Sequence, residues 1–375
     1  MGKPRLPDVE KQEMLDLPML LLTLLLTALG LVMIYSSSFA RALYESGDSA
    51  YYFKRQGIFA LVGTAAMLAI SRVRPELIRK MAFPVLGVSI LFLILVFVPG
   101  IGRAENGATR WVSLGISFQP SEVAKLGVIL SFAAMITRFG ENMETFRWGI
   151  APFVGILAVI VVLLRLEPHN SAIVIIACTA GAMLFLGGVK YRWFVLGGCA
   201  MLLGLILILG AGGYEASRIT AWQDPFSDHT DDGYQIIQSL YAIGSGGLFG
   251  LGFGQGRQKY LYLPEEHNDY IFSIACEELG LTGAAAILLL YALLILRGYW
   301  ISMHIRDRFL SLTVAGITTL TALQVFFNIG VVTNLLPSTG ISLPFFSYGG
   351  TALLIQLGEM GIILGASRQC SAGFL

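Results

Sequence analysis

Ten stretches of this sequence are apolar and long enough to cross a lipid bilayer as helices. A spanning helix needs about 20 mostly apolar residues. Only 13% of the 375 residues are charged, against about 25% in an ordinary soluble domain. The predicted spans are residues 16–37, 56–71, 81–99, 122–138, 149–165, 170–187, 193–213, 270–296, 309–333 and 345–366. The sequence therefore predicts an all-α, polytopic membrane protein with ten transmembrane helices, built as a single domain over residues 1–375.

The distribution of Lys and Arg predicts the orientation of these spans. An even number of spans places both termini on the same side, and 15 of the 25 Lys and Arg residues fall on that side. Cytoplasmic loops carry the excess of positive charge, so both termini are expected in the cytoplasm. The first apolar run is longer than the apolar core of a signal peptide, so we interpret it as an uncleaved helix. A net charge of +1 gives no reason to expect nucleic acid as a partner.

Two predicted outer segments are much longer than the other connections. They cover about 100–121 and 214–269, and the second is a large extracytoplasmic loop between spans 7 and 8. Long irregular segments in compact proteins are usually functional or disordered. Both segments are rich in Gly, Trp, Pro and paired charge, so we expect short interfacial or re-entrant helices packed over the bundle.

A run of glycines in the second segment permits two interpretations. One is a loop that contacts an anion such as a phosphate, although no Gly-Lys-Ser/Thr follows as in a Walker A loop. The other is tight turns and close packing against membrane helices. The glycines concerned are Gly244, Gly246, Gly247, Gly250, Gly252, Gly254 and Gly256.

Asp269 is the candidate catalytic base. It follows Pro264 and stands where the eighth span begins, so it could also be an ordinary N-cap. Ionisable groups at the edge of the hydrocarbon are costly and usually functional, which favours the catalytic interpretation. One acid facing several cations suits a reaction that joins a hydroxyl group to a phosphate-activated group. The cations expected near it, as substrate-binding residues, are Arg110, Lys125, Arg218, Arg257 and Lys259.

Two further pairs of charged residues lie inside predicted spans. Glu277 and Glu278 lie about 12 Å deeper than Asp269 along the same helix, where we expect a structural ion pair or polar lock. Glu122 and Lys125 are three residues apart and share a helical face. In one interpretation the two side chains bind only each other, and Glu122 has a structural role as part of a polar lock between helices. In the other, Lys125 faces an anionic headgroup.

Several motifs together resemble the SEDS family, named for shape, elongation, division and sporulation. The motifs are QPSEVAKL, DDGYQIIQSLYAIGSGGLFGLGFGQGRQKYLYLPEEHNDYIFSIACEELGLTG and LPSTGISLPFFSYGGTAL. The resemblance covers nearly the whole chain and favours the FtsW/SpoVE branch over RodA. It implies a ten-span peptidoglycan glycosyltransferase of the bacterial cytoplasmic membrane, with an active site that faces outside and polymerises lipid II into β-1,4 glycan strands.

The resemblance also assigns residues. The essential acid of the family's His-Thr-Asp-Phe motif corresponds to Asp269 in the run His267-Asn268-Asp269-Tyr270. The family commonly has Glu-Pro-Asp before the sixth span, whereas this chain has Glu167-Pro168-His169, so the role of that aspartate cannot be transferred. The remaining candidates for substrate binding, given by the polar outer segments, are Trp222, Gln238, His267, Ser347 and Tyr348.

The implied substrates are lipid II and an undecaprenyl-diphosphate-linked glycan, and the implied partner is a class B penicillin-binding protein, a transpeptidase. No cofactor is required by the motifs, and a divalent cation, Mg²⁺ or Mn²⁺, held by Asp269 and the substrate diphosphate is a candidate. Two other functions stay open: a lipid II flippase or transporter, and a scaffold that only positions the transpeptidase. The residues alone do not separate an enzyme from a transporter.

Overall fold

The computed structural model describes residues 15–105, 108–113, 115, 117–198, 221–227 and 232–370. Most of these residues are helical. In chain order the helices are α1 Leu17–Ser46, α2 Tyr51–Ile70, α3 Pro75–Leu95, α4 Pro120–Phe139, α5 Phe146–Gly149, α6 Ala151–Leu166, α7 Asn170–Leu186, α8 Asp232–Gly246, α9 Ile271–His304, α10 Arg308–Val332 and α11 Gly350–Ser367.

Eight helices of the described chain are long and apolar enough to cross a membrane. They coincide with eight of the ten predicted spans, so a polytopic membrane protein is confirmed. The sixth predicted span is helix α7, which is apolar and 17 residues long. Most of the seventh, 193–213, falls in residues 199–220, outside the described residues. The count of ten and the N-in, C-in orientation therefore stay predictions.

The prediction of an all-α protein is wrong in one outer segment. Three short strands, β1 Gly102–Glu105, β2 Ala108–Ser113 and β3 Ser117–Phe118, form an antiparallel sheet. Val112 pairs with Gly102 on one side and Phe118 on the other, and its side chain is fully buried. The strands are too short to show a clear alternation in the sequence, and pairing of each strand with its neighbour stabilises them.

Helix α1 runs nine residues beyond its predicted end at residue 37. Three consecutive serines, Ser36, Ser37 and Ser38, lie at this point of the helix. All three are buried, and the Ser37 and Ser38 hydroxyl groups donate to the carbonyl of Ile34. Ser36 instead donates to the carboxylate of Glu278 on α9. The helix can continue through these buried polar residues because each hydroxyl group has a hydrogen-bond acceptor inside the bundle.

Two aspartates begin helices and bind arginines at the end of the bundle that carries the termini. Asp16 and Asp307 cap α1 and α10, and each side chain accepts the N–H of the third residue that follows. Arg297 on α9 binds Asp16 with an Nη2–Oδ2 distance of 2.7 Å, and Arg79 on α3 binds Asp307 at 2.9 Å. Each aspartate therefore satisfies N–H groups at a helix start and also ties that helix to a neighbour.

Helix α9 is broken at Gly280, where φ is 67° and ψ is −169°. A break at membrane depth exposes backbone groups that have no water to bind. Here the carbonyls of residues 277–278 accept the N–H groups of residues 251–252, both at 3.0 Å. The N–H groups of residues 281–282 donate to the carbonyls of residues 247–248, at 2.9 and 3.1 Å. Residues 246–256, which we call the glycine-rich loop, thus take part in four hydrogen bonds at the break.

Glycine is required where this loop touches α9. A Cβ atom at Gly246 would lie 2.0 Å from the carbonyl oxygen of Cys276, and one at Gly250 would lie 2.1 Å from that of Glu278. Gly250 also has a φ of +79°, which L-residues rarely adopt. Of the two interpretations of the glycine run, these contacts support close packing against a membrane helix.

Two glycines of the loop allow a matched test of this packing. Gly250 and Gly254 share a φ of +79°, but a Cβ at Gly254 would meet nothing within 4 Å. Both alanine variants should lose about 1–2 kcal/mol to left-handed strain. Gly250→Ala should lose a further ~1–3 kcal/mol because the loop must move off α9. Thermal unfolding in one detergent measures the difference, and equal losses of Tm would contradict the packing.

Candidate functional site

Asp269 lies just before α9, at the end of the bundle that is predicted to face outside, and is partly exposed. Its carbonyl accepts a hydrogen bond from Asn328 Nδ2 at 2.7 Å, and the same amide donates to the carbonyl of Ile341 at 2.7 Å. A Cβ at Gly340 would lie 3.2 Å from Asp269 Oδ2. The N-cap position of α9 belongs to Tyr270, so Asp269 lies one residue outside it.

A buried ion pair fixes the residue three positions before Asp269. Arg41 near the C-terminal end of α1 donates from Nε and Nη2 to the two carboxylate oxygens of Glu266, at 2.7 and 2.8 Å. The Glu266 side chain is fully buried, which raises the pKa of this carboxyl group, while Arg41 opposes that shift. Two parallel charge-assisted bonds define the orientation of both planar groups.

His267 packs between two tyrosine rings. Its ring centroid lies 4.6 Å from that of Tyr52 on α2 and 5.6 Å from that of Tyr348. The His267 carbonyl accepts the N–H of Tyr348 at 2.9 Å. Burial, with a smaller contribution from Arg41, lowers the pKa of His267 to about 3, so the imidazole is neutral at physiological pH.

Ser347 joins the segment before α11 to the segment that carries Asp269. Its hydroxyl donates to the carbonyl of Asn268 and accepts the N–H of Leu343, both at 2.8 Å. Gln56 on α2 holds the same segment, because its side chain donates to the Ser347 carbonyl at 3.3 Å and accepts the Gly349 N–H at 3.2 Å. The structure therefore brings His267, Ser347 and Tyr348 together beside Asp269.

Lys259 is buried and ion-paired. Its Nζ lies 2.7 Å from Glu278 Oε1 and 3.1 Å from Ser36 Oγ, and both charged side chains are at most 3% exposed. Lys259 therefore does not share a surface with Arg257, whose side chain is exposed. The Glu277 carboxylate accepts the backbone N–H of Arg257 at 2.8 Å and so holds this part of the loop against α9.

Glu122 and Lys125 form a buried pair in the first turns of α4, with an Nζ–Oε1 distance of 2.7 Å. They are 7% and 6% exposed. Glu359 on α11 is also buried, and both members of the pair interact with it electrostatically. Lys125 thus has acidic partners within the bundle, and its role toward an anionic substrate stays a prediction.

Arg110 on β2 binds the turn between α6 and α7. It donates to the carbonyls of Glu167 and Pro168, at 3.4 and 2.5 Å. Burial raises the pKa of Glu167 to about 8 and lowers that of His169 to about 3. His169 Nε2 lies 3.3 Å from Gln119 Nε2, and the amide donates to it in the tautomer that carries the imidazole proton on Nδ1. The aspartate of the family pattern is thus replaced here by a buried neutral imidazole.

The remaining predicted residues are more distant. Trp222 Nε1 donates to the carbonyl of Asn334 at 3.1 Å, and Asn334 donates back to the Trp222 carbonyl at 3.4 Å. Gln238 lies on α8 and is partly exposed. Arg218 lies outside the described residues. Trp222 therefore binds the segment that follows α10. The structure gives no contact between Gln238 and Asp269.

Sequence reasoning missed three residues that hold the site in place: Arg41, Tyr52 and Gln56. All three lie on α1 and α2, far in sequence from Asp269. Nothing near Arg41 in the sequence indicates Glu266 as its partner. Pairings between residues more than 200 positions apart, such as Arg41–Glu266, leave no local pattern.

Comparison with known proteins gives consistent matches over almost the entire chain. The model of the FtsW/RodA/SpoVE family, described as cell cycle proteins, matches residues 16–372. Stage V sporulation protein E of Bacillus subtilis (strain 168) is 40% identical over 354 residues, covering 94% of this chain and 97% of that protein. The probable peptidoglycan glycosyltransferase FtsW of Geobacter metallireducens is 40% identical over 364 residues, covering 96% and 97%.

Solved structures agree with this assignment. A chain from work on the structural coordination of polymerization and crosslinking by a peptidoglycan synthase complex superposes with a TM-score of 0.80 at 27% identity, covering 96% of this chain and 99% of that one. The rod shape determining protein RodA of Thermus thermophilus superposes with a TM-score of 0.69 at 27% identity, covering 94% and 97%. The chain belongs to the FtsW/RodA/SpoVE family of cell cycle proteins.

Proposed function

We propose that this chain is a peptidoglycan glycosyltransferase of the bacterial cytoplasmic membrane that polymerises lipid II into β-1,4 glycan strands outside the cell. The observation that carries the proposal is the placement of Asp269, a partly exposed residue whose carbonyl is bound by Asn328 and whose segment is held by the Arg41–Glu266 ion pair. The curated relatives named as probable peptidoglycan glycosyltransferases support the reaction class.

The role of Asp269 follows from the chemistry of this reaction. A diphosphate is already a good leaving group, so the step that needs help is loss of the proton from the acceptor 4-hydroxyl as the glycosidic bond forms. Asp269 is proposed to accept that proton as a general base, which contributes typically 10²–10⁴-fold to a rate. Direct displacement would invert the anomeric centre, from the α-linked diphosphate to the β-1,4 glycan.

Negative charge on the leaving diphosphate also needs compensation. Of the predicted cations that the structure describes, Arg257 has an exposed side chain, whereas Lys259 and Lys125 are paired with glutamates. Among the described residues no three His, Cys, Asp or Glu side chains come close enough together to form a metal site. A divalent cation at Asp269 would therefore take most of its ligands from substrate oxygens and water, as Mg²⁺ commonly does.

A transpeptidase partner is the second part of the proposal. One solved relative comes from a peptidoglycan synthase complex that couples polymerization to crosslinking. A class B penicillin-binding protein beside this chain would crosslink the glycan strand as it forms. A lipid II transporter remains the alternative function, and a scaffold without chemistry of its own is a third. The loss of polymerisation on removing one carboxylate would separate the enzyme from both.

Asp269→Asn keeps the size of the side chain and removes the base. We expect polymerisation of lipid II by the purified protein with its transpeptidase to fall by about 10²–10⁴-fold, with lipid II binding retained. Asp48→Asn, an exposed outer aspartate paired with Lys54, is the control and should polymerise normally. Full polymerisation by Asp269→Asn would remove Asp269 from the chemistry. Failure of the wild-type protein to make polymer would favour the transporter.

The ion pair of Arg41 and Glu266 should control the rate through the position of Asp269. Glu266→Gln removes the fully buried carboxylate that the partly exposed Arg41 guanidinium binds, and breaking a buried pair typically costs about 3–5 kcal/mol. We expect kcat per folded molecule to fall while the Kd for lipid II changes little, because the segment carrying Asp269 shifts. The double variant Arg41→Gln/Glu266→Gln should recover part of the rate.

Glu45 provides the matched control for that pair. It also contacts Arg41, at 3.5 Å, but its side chain is 45% exposed. An exposed pair of this kind contributes about 0–1 kcal/mol, so Glu45→Gln should stay within a few-fold of the wild-type kcat. A purely structural pair would instead lower the yield of folded protein in Glu266→Gln and leave kcat unchanged, and that result would argue against positioning.

A further inference from the structure

Two connections meet at the end of the bundle that the Lys and Arg distribution assigns to the cytoplasm. One follows α4 and the other follows α7. Lys190 Nζ lies 2.7 Å from Glu144 Oε2, and the rings of Phe146 and Trp193 are 5.2 Å apart. Arg308, at the start of α10, donates to the carbonyl of Gly187 at 3.4 Å. The two connections therefore form one continuous surface.

Cations and indole rings alternate on this surface. The Arg147 guanidinium carbon lies 5.5 Å from the ring centroid of Trp148, and that of Arg192 lies 5.2 Å from the ring of Trp193. Such stacking places each guanidinium over a ring face and leaves its edge free to donate hydrogen bonds. We refer to this surface as the cation–tryptophan patch, formed by Arg138, Arg147, Trp148, Lys190, Arg192 and Trp193.

The patch carries an excess of positive charge. Arg138, Arg147, Lys190 and Arg192 are all exposed, as is the neighbouring Arg308. Two exposed acids, Glu141 and Glu144, lie in the same connections, and Glu144 is paired with Lys190. Five cations against two carboxylates leave a net charge of +3. An anion that approaches this surface would meet arginines whose guanidinium groups already have defined orientations.

The apolar residues beside the patch indicate what the anion is attached to. Phe185, Leu186 and Tyr191 flank the patch and are exposed by 67%, 49% and 80%. Phe185 and Leu186 end α7, an apolar helix, so exposed apolar side chains lie next to the cations. Trp and Tyr concentrate at membrane interfaces, where their rings lie at the level of the headgroups. An anionic group reaching the patch alongside lipid chains is a phospholipid headgroup, because an acidic protein would approach from the aqueous side.

We propose that the cation–tryptophan patch binds the phosphodiester headgroup of an anionic phospholipid in the adjacent leaflet. Arg147 and Arg192 supply paired N–H donors to the phosphate oxygens, a geometry that guanidinium groups favour. Trp148 and Trp193 hold the two arginines and border the upper part of the acyl chains. The exposed side chains of α7 receive the remainder of the lipid. The site lies at the opposite end of the bundle from Asp269 and does not depend on the proposed reaction.

The test is the binding of phosphatidylglycerol to the full chain, with phosphatidylcholine as the neutral comparison. Native mass spectrometry of protein released from detergent would give the apparent Kd for the first bound lipid of each kind. We expect Arg147→Gln/Arg192→Gln to weaken phosphatidylglycerol binding by about fivefold for each cation removed, and to leave phosphatidylcholine unchanged. High salt should weaken the wild-type preference in the same direction.

Two further variants make this test specific. Arg72→Gln/Arg74→Gln removes two exposed cations from the same side of the protein, at a connection without tryptophan, and should change the Kd little. Arg147→Lys/Arg192→Lys keeps the charge and should retain part of the preference, which shows that the patch remains folded. If the glutamine variants at both connections weaken binding equally, ordinary surface charge explains the preference and the proposal is wrong. An unchanged Kd in Arg147→Gln/Arg192→Gln would overturn it as well.

Discussion

The backbone break in α9 is the constraint on which the half of the molecule that carries Asp269 depends. A helix interrupted within a bilayer must find new partners for its backbone groups, or the interruption is too costly to persist. Here the partners belong to the glycine-rich loop, which is possible only because Gly246 and Gly250 carry no Cβ. The same contact sets the depth of the loop, and so the positions of Arg257 and Lys259 that follow it.

Buried ion pairs then connect this assembly to α1. The Lys259–Glu278 pair joins the loop to α9, beside Ser36 of α1. The Arg41–Glu266 pair joins the segment before Asp269 to the C-terminal part of α1. Such pairs add little net stability, because desolvation offsets most of their attraction. Their effect is to favour one arrangement, since any shift of the loop along α1 would leave a buried charge without its partner.

The spans and the candidate acid could be predicted from the sequence for a simple reason. Long apolar runs and a charged residue at the end of one are local features, visible within a window of about 20 residues. The strand pairing around Val112 and the partner of Arg41 are not local, because they depend on residues brought together by the fold. Lys259 shows the same limit: its sequence neighbours indicate an outer loop, whereas its burial depends on contacts with α1 and α9.

The fixed geometry around Asp269 bears on the choice between enzyme and transporter. Alternating access needs one part of a transporter to move against another around the binding site. The segment 265–269 is instead joined to α1 by Arg41, to α10 by Asn328 and to the segment before α11 by Ser347. Opening the site toward the other side would break these contacts together. A general base benefits from the same restraint, because proton transfer requires the carboxylate to meet the hydroxyl at hydrogen-bonding distance. This supports a stationary catalytic site whose substrates move through it.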